Sequence, residues 1–224
     1  MAKVFLGVGH GGSDPGAVKY IKEKDINLKM ATACAKYLRA YGVEVMMSRT
    51  KDENDPLTEE IRECNAFNPD LAVDVHNNAG GGDGFEAYHS IIGGKSLTLA
   101  KNIEAEVLLI GQNSRGVKAR TNSKGYDYYG FIRQTKCPAV ICEGVFVDNA
   151  SDAAQADTDA ECEAFGEAYA RGILKTLGIS IEIAPAQPST EVYRVQVGAF
   201  KDKGNAEKLC TELKGKGYAA FVVK

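Results

Sequence analysis

The feature that most constrains this chain is an alternation, repeated from its start to Gly178, of short apolar runs with longer segments of helical period. Lys3 to Val8 reads as a strand, and Asp25 to Tyr41 carries Ile26, Leu28, Ala31, Cys34, Ala35 and Leu38 at helical spacing. Val43 to Met47, Leu57 to Phe67 and Leu71 to Val75 repeat the order strand, helix, strand, the helix starting after Asp55-Pro56. Gly84 to Ser90 alternates like a strand, Ser96 to Ile110 like a helix, and Tyr128 to Arg133 and Ala139 to Cys142 read as strands. Asp159 to Leu177 is a closing helix. Such a series predicts an α/β fold: a mostly parallel, twisted sheet of about six strands with helices on both faces. The segments 77–84 and 111–127 are then the long loops, near the C-terminal ends of strands, where α/β domains bind ligands.

The segment Ile179 to Glu191, ISIEIAPAQPSTE, breaks the alternation with two prolines among polar residues and reads as a stiff connector. The expected division is a catalytic domain at 1–178, a linker at 179–191 and a small unit at 192–224. That unit reads as βαβ, with strands at Tyr193 to Phe200 and Tyr218 to Val223 around a helix at Asn205 to Lys214.

A net charge of -3 gives none of the basic surface that neutralises a phosphate backbone, so no nucleic-acid partner is expected. No apolar run reaches the ~20 residues that cross a bilayer, so no membrane partner is expected either. The run Val4 to Val8 leads straight into glycines, leaving no room for a signal peptide. The six cysteines form no CxxC pair and are expected as free thiols, mostly buried.

His10 follows the first strand in a glycine run, His76 follows the third, and Glu143 follows Ala139 to Cys142; parallel pairing would bring all three to one sheet edge. Glu23, just before the first helix, can fold back over that edge. Two imidazoles and a carboxylate with an open fourth position make a catalytic zinc site, and Glu143 is left as a proton acceptor. The ordinary readings stand beside this one: a loop or capping histidine, and a solvated helix start within Lys22-Glu23-Lys24-Asp25. Gly7-Val8-Gly9-His10-Gly11-Gly12 also satisfies GxGxxG, but Ser13-Asp14-Pro15-Gly16 delays the helix whose N-terminus would hold a pyrophosphate. A wall-binding module that has lost its chemistry and a zinc peptidase cutting elsewhere in the peptide stem are further alternatives.

Residues 3 to 178 resemble the family 3 N-acetylmuramoyl-L-alanine amidases, zinc enzymes of bacterial cell-wall lysis. The resemblance rests on Gly9-His10-Gly11-Gly12-Ser13-Asp14-Pro15-Gly16-Ala17, Glu23-Lys24-Asp25-Ile26-Asn27-Leu28, Ser48-Arg49-Thr50, Leu57 with Arg62 and Asn65, Val75-His76-Asn77-Asn78-Ala79, Gly84-Phe85-Glu86, and Pro138 to Phe146 with Asn149. It implies hydrolysis of the amide between N-acetylmuramic acid and L-alanine in peptidoglycan, with Zn2+ on His10, Glu23 and His76 and Glu143 as catalytic base. Two positions depart from the pattern: Asp74 stands where a serine is usual, and Val145 where a second glycine is.

Arg49, Arg62 and Glu86 fit the pattern as ion pairs fixing loops, and His89 reads as an ordinary surface or packing residue. Asn78 is a candidate for substrate contact, and so are Tyr126 and Tyr128, which cluster with Asp127 and Tyr129; at least one of these tyrosines is expected in the core. The C-terminal unit resembles half of a sporulation-related repeat that binds peptidoglycan glycan. A single copy would leave a strand edge uncovered, which either a homodimer through that unit or docking of the tail on its own catalytic domain would cover. The expected setting is synthesis in the cytoplasm and action at the cell wall, as a phage endolysin or an autolysin of mother-cell lysis.

Overall fold

A computed structural model describes residues 1–181, 197, 198, 200–216 and 222, which fall into two compact units, Met1–Ile181 and Glu182–Lys224. In the first, β1 (Lys3–Val8), α1 (Glu23–Ala40), β2 (Glu44–Met47), α2 (Leu57–Phe67), β3 (Leu71–Asn78), β4 (Phe85–His89), α3 (Lys95–Leu109), β5 (Ser114–Lys118), α4 (Gly130–Gln134), β6 (Ala139–Phe146), α5 (Ala150–Ala153) and α6 (Asp159–Leu177) follow in order. The six strands form one sheet in the order β2-β1-β3-β6-β4-β5. Pairing is parallel except between β4 and β6, which run antiparallel.

Strand alternation assigns each residue a face. Val4, Leu6 and Val8 of β1, Leu71, Val73 and Val75 of β3, and Val140 and Cys142 of β6 join the larger core with Met30, Leu38, Leu99, Ile103, Phe165 and Tyr169 of α1, α3 and α6. The intervening Phe5, Ala72, Ala139 and Ile141 pack on the other face against Ile61 and Cys64 of α2 and Phe131 and Ile132 of α4. This second cover is short. Beyond it the same face of β3 and β6 continues with Asp74, His76 and Glu143 in place of apolar residues.

Two readings from sequence are corrected here. The stretch read as a strand at Tyr128 to Arg133 holds the helix α4 instead, because Phe131 and Ile132 are both buried in one cluster, whereas neighbours on a strand point to opposite faces. The segment read as a loop at 111–127 contains β5, an edge strand with the single apolar residue Val117. Helix α6 keeps its expected bounds, set by a capping box between Thr158 and Glu161 and by Gly178 in the left-handed conformation.

In the second unit α7 spans Lys203–Gly215, capped by Asp202, which accepts a bond from the Asn205 amide, and no residue of it is buried. The strands expected at Tyr193 to Phe200 and Tyr218 to Val223, and most of the linker at 179–191, lie outside the described residues. All six cysteines are free thiols; Cys34, Cys64, Cys142 and Cys162 are buried, and Cys137 and Cys210 partly so.

Candidate metal centre and cleft

Parallel pairing of β1, β3 and β6 brings the sequence candidates together, as their register requires. His76 lies directly across from Glu143, and Glu143 directly across from Glu86. His10 leaves β1 two residues past its end with φ 63, a left-handed conformation uncommon for a residue with a side chain and frequent where geometry is dictated by a site. Gly9 is required beside it: a Cβ there would come within 2.2 Å of the His76 ring. The residue therefore has to be glycine for the two imidazoles to share the edge.

Glu23, the first residue of α1, is the hub. Its Oε1 lies 3.2 Å from His10 Nε2 and 3.1 Å from His76 Nδ1, and also accepts the Asn77 amide at 3.1 Å. Its Oε2 accepts the Ala17 amide at 2.8 Å. One ligand atom from each of His10, Glu23 and His76 lies within 4.8 Å of the others. Burial opposes the charged form of Glu23, but bonds from both imidazoles outweigh it and hold the carboxyl well below the usual carboxylate range. For His10 the bond to Glu23 raises the pKa, against burial; for His76 burial lowers it, and Asp74, Glu23 and Glu143 overcome that. Two nitrogens and an oxygen, converging in a site whose carboxylates call for positive charge, fit a borderline divalent ion of the zinc type.

Each imidazole is backed by a second acid on its far nitrogen. His10 Nδ1 is 2.8 Å from Asp14 Oδ2, and His76 Nε2 is 3.4 Å from Asp74 Oδ2. Glu143 has no such partner. Burial pushes its carboxyl up to about 7, with nearby His76 pulling the other way. A carboxyl poised near neutrality suits general acid–base work.

Behind these groups a buried amide network fixes the strand ends. Asn27 donates to the Gly9 carbonyl at 2.9 Å and accepts from Asn77 at 2.7 Å, while Asn77 accepts the Val145 amide at 2.9 Å. Arg49, 2% exposed, does not form the expected ion pair. It donates instead to the carbonyls of Val8, Gly9, Lys24 and Lys51, tying the end of β1 to the start of α1. Arg62 pairs with Glu59 at the surface, and buried Glu86 accepts from Arg115, Lys118 and Tyr88. His89 Nδ1 meets the Ser90 carbonyl at 2.8 Å, away from the metal centre.

A cleft of about 560 Å³ opens on His10 and His76, with Asp14, Asn54, Asp55 and Leu57 on one side and Tyr129, Gly130 and Phe131 on another. Tyr129, which also packs on the smaller core, is the tyrosine in this cleft. Tyr126 lines a separate groove with Asn122, Lys124 and Arg133, and Tyr128 lies beneath Arg120, 3.7 Å from ring centre to guanidinium. Asp127 fastens the turn after β4 through Ser90 and the Ile91 amide. Asn78 donates to Glu86 at 3.3 Å. Asp14, Asn27, Asn77 and Asp74 are not site residues on the sequence reading; the i, i+2 step from Asp74 to His76 along one strand face is the signal that marks one of them. The dinucleotide reading lacks its helix, since α1 opens at Glu23 and not at Gly12.

Residues 4–175 match the N-acetylmuramoyl-L-alanine amidase family model, and residues 169–224 match the SPOR domain model. The N-acetylmuramoyl-L-alanine amidase CwlM of Bacillus licheniformis is 32% identical over 227 residues, spanning 100% of this chain and 85% of that protein. Among solved structures, Cwp6 from Clostridium difficile is 34% identical with a TM-score of 0.77, over 79% of this chain and 29% of that one. The catalytic domain of CwlV, an N-acetylmuramoyl-L-alanine amidase from Bacillus (Paenibacillus) polymyxa, is 26% identical with a TM-score of 0.72, over 80% of this chain and 100% of that domain.

Proposed function

This chain belongs to the N-acetylmuramoyl-L-alanine amidase family, and from that premise we propose that His10, Glu23 and His76 hold a zinc ion and that Glu143 is the catalytic base. The enzyme hydrolyses the amide between N-acetylmuramic acid and L-alanine in peptidoglycan, and its site of action is the cell wall. The observation that carries the assignment of residues is the convergence of both imidazoles on one oxygen of Glu23, with Glu143 directly across the sheet from His76. A zinc ion there would supply Lewis acidity toward water and the scissile carbonyl. Glu143, with its pKa near neutrality, takes the proton of the attacking water and passes it to the departing nitrogen of L-alanine. Asp14 and Asp74 hold the two rings from behind. Asn78, Tyr126 and Tyr128 remain proposed substrate contacts, with Tyr129 added from its place in the cleft. Mass spectrometry of digested muropeptides tests the bond: the expected product carries a new free L-alanine amino terminus, and a terminus elsewhere in the stem would identify a peptidase.

For the C-terminal unit we propose glycan binding and pairing with a second copy. Supporting this are the SPOR match and a helix, α7, none of whose residues is buried. Light scattering decides the pairing: a dimer that becomes a monomer when the chain ends at Gly178 is expected, and a full chain that stays monomeric at high micromolar concentration overturns it.

A further inference from the structure

Beside the Nε2 edge of His76, in the lining of the same cleft, sit two buried acids that no lysine or arginine pairs among the described residues. Asp74 is 2% exposed and Glu60 of α2 is 4% exposed. Asp74 Oδ1 and Glu60 Oε1 both lack a hydrogen-bond partner among the described residues. They come together over Gly7 of β1, where a Cβ would stand 1.9 Å from Glu60 Oε1 and 2.7 Å from Asp74 Oδ1. The glycine makes room for an acid pair, and the pair leaves Asp74 Oδ2 facing the ring, 3.4 Å from His76 Nε2.

Three other buried acids among the described residues are treated differently. Glu86 is held by Arg115 and Lys118, and Glu106 by Arg171 and Lys175. Asp152 accepts the amides of Gly84 and Phe146 and the side chain of Gln112. Burying a carboxylate is costly unless it is paired, and these three acids are each given partners. Among the described residues, the one group that meets the Asp74 carboxylate as a cation or as an N–H donor is the imidazole of His76.

We propose that Asp74 is the positioning carboxylate of His76: it accepts the Nε2–H, leaving Nδ1, which faces Glu23 Oε1 at 3.1 Å, as the proton-free nitrogen turned to the metal. Glu60 Oε1 meets Asp74 Oδ1 over Gly7, which leaves Oδ2 to the ring. The inference rests on the assignment of His10, Glu23 and His76 as ligands, and it concerns how one of them is oriented, not which chemistry follows.

The test uses the full chain with zinc alone as the probe. Zinc affinity is measured by competition with a chelator, and the histidine tautomers by ¹⁵N imidazole spectra, which are tractable because the chain has three histidines. Wild type should bind one zinc and show His76 as a single Nε2–H tautomer. Loss of an outer carboxylate typically lowers metal affinity about 10–100-fold, and this is expected for Asp74→Ala together with loss of the single tautomer. If that variant fails to fold, Asp74→Asn carries the test, because its amide can donate to Nε2 and trap the wrong tautomer, which again lowers affinity. Glu60→Leu should shift both readouts in the same direction by less. Unchanged zinc affinity and an unchanged His76 tautomer in Asp74→Asn would overturn the inference while leaving the ligand assignment intact. A wild-type chain that binds no zinc, or His76→Ala that keeps it, overturns both.

Discussion

The two histidines of the centre reach it by opposite routes. His10 stands on a loop at φ 63, its ring backed by Asp14, whose side chain is 65% exposed. His76 stands on a central strand between β1 and β6, backed by Asp74, whose side chain is 3% exposed. Loop strain and a water-accessible acid orient the first ring; sheet register and a buried acid orient the second. An exposed hydrogen bond can be replaced by water, whereas a buried one leaves an unpaired group when cut. Two histidines proposed for the same role toward one metal are therefore expected to differ in their tolerance to change.

The largest effect is expected from removing either ligand. His76→Ala and His10→Ala should each lose zinc and activity together, since two protein ligands hold the ion far less tightly than three. Metal analysis after dialysis checks this, and full zinc occupancy in either variant would show that the ligands were misassigned. Glu143→Gln separates chemistry from metal holding: zinc content should stay near wild type while turnover falls by about 10²–10⁴-fold, the range of general-base catalysis. Near-normal turnover would remove Glu143 from its role.

The same variant has an opposite effect on stability. The folded metal-free protein raises the Glu143 pKa from 4.5 to about 7, so it favours the protonated form. Stability from this group is therefore fully present below pH 4.5 and is lost as pH rises through 7. Glu143→Gln does not titrate, so its melting temperature relative to wild type should rise between pH 4.5 and 7, by an amount worth about 1–3 kcal/mol. A constant difference across that range would mean that burial does not perturb this carboxyl. Smallest is the effect at Asp14. Asp14→Asn should lower zinc affinity only a few-fold, well under the loss at Asp74, because water can serve His10 Nδ1 in its place. Equal losses at the two acids, measured by chelator competition, would break the contrast between the loop and strand histidines.

Much of this protein was determined by the sequence alone. The order of elements from Lys3 to Leu109, the helices starting at Leu57 and Asp159, and the candidates His10, Glu23, His76 and Glu143 follow from periodicity, caps and motif. These are local signals, carried by neighbours within a turn or two. Other features depend on partners far apart in the chain. Helix α4 formed where strand-like residues stand, because Phe131 and Ile132 had to enter one cluster with Phe5 and Ile61. Strand β5 formed on one apolar residue, because Arg115 and Lys118 meet Glu86 across the sheet. Arg49 took four backbone carbonyls in place of a carboxylate. Glu60 and Asp74, 14 positions apart in the sequence, met over Gly7 because α2 packs back across β1 and β3. Burial and pairing depend on what arrives from elsewhere, and no window of sequence contains that.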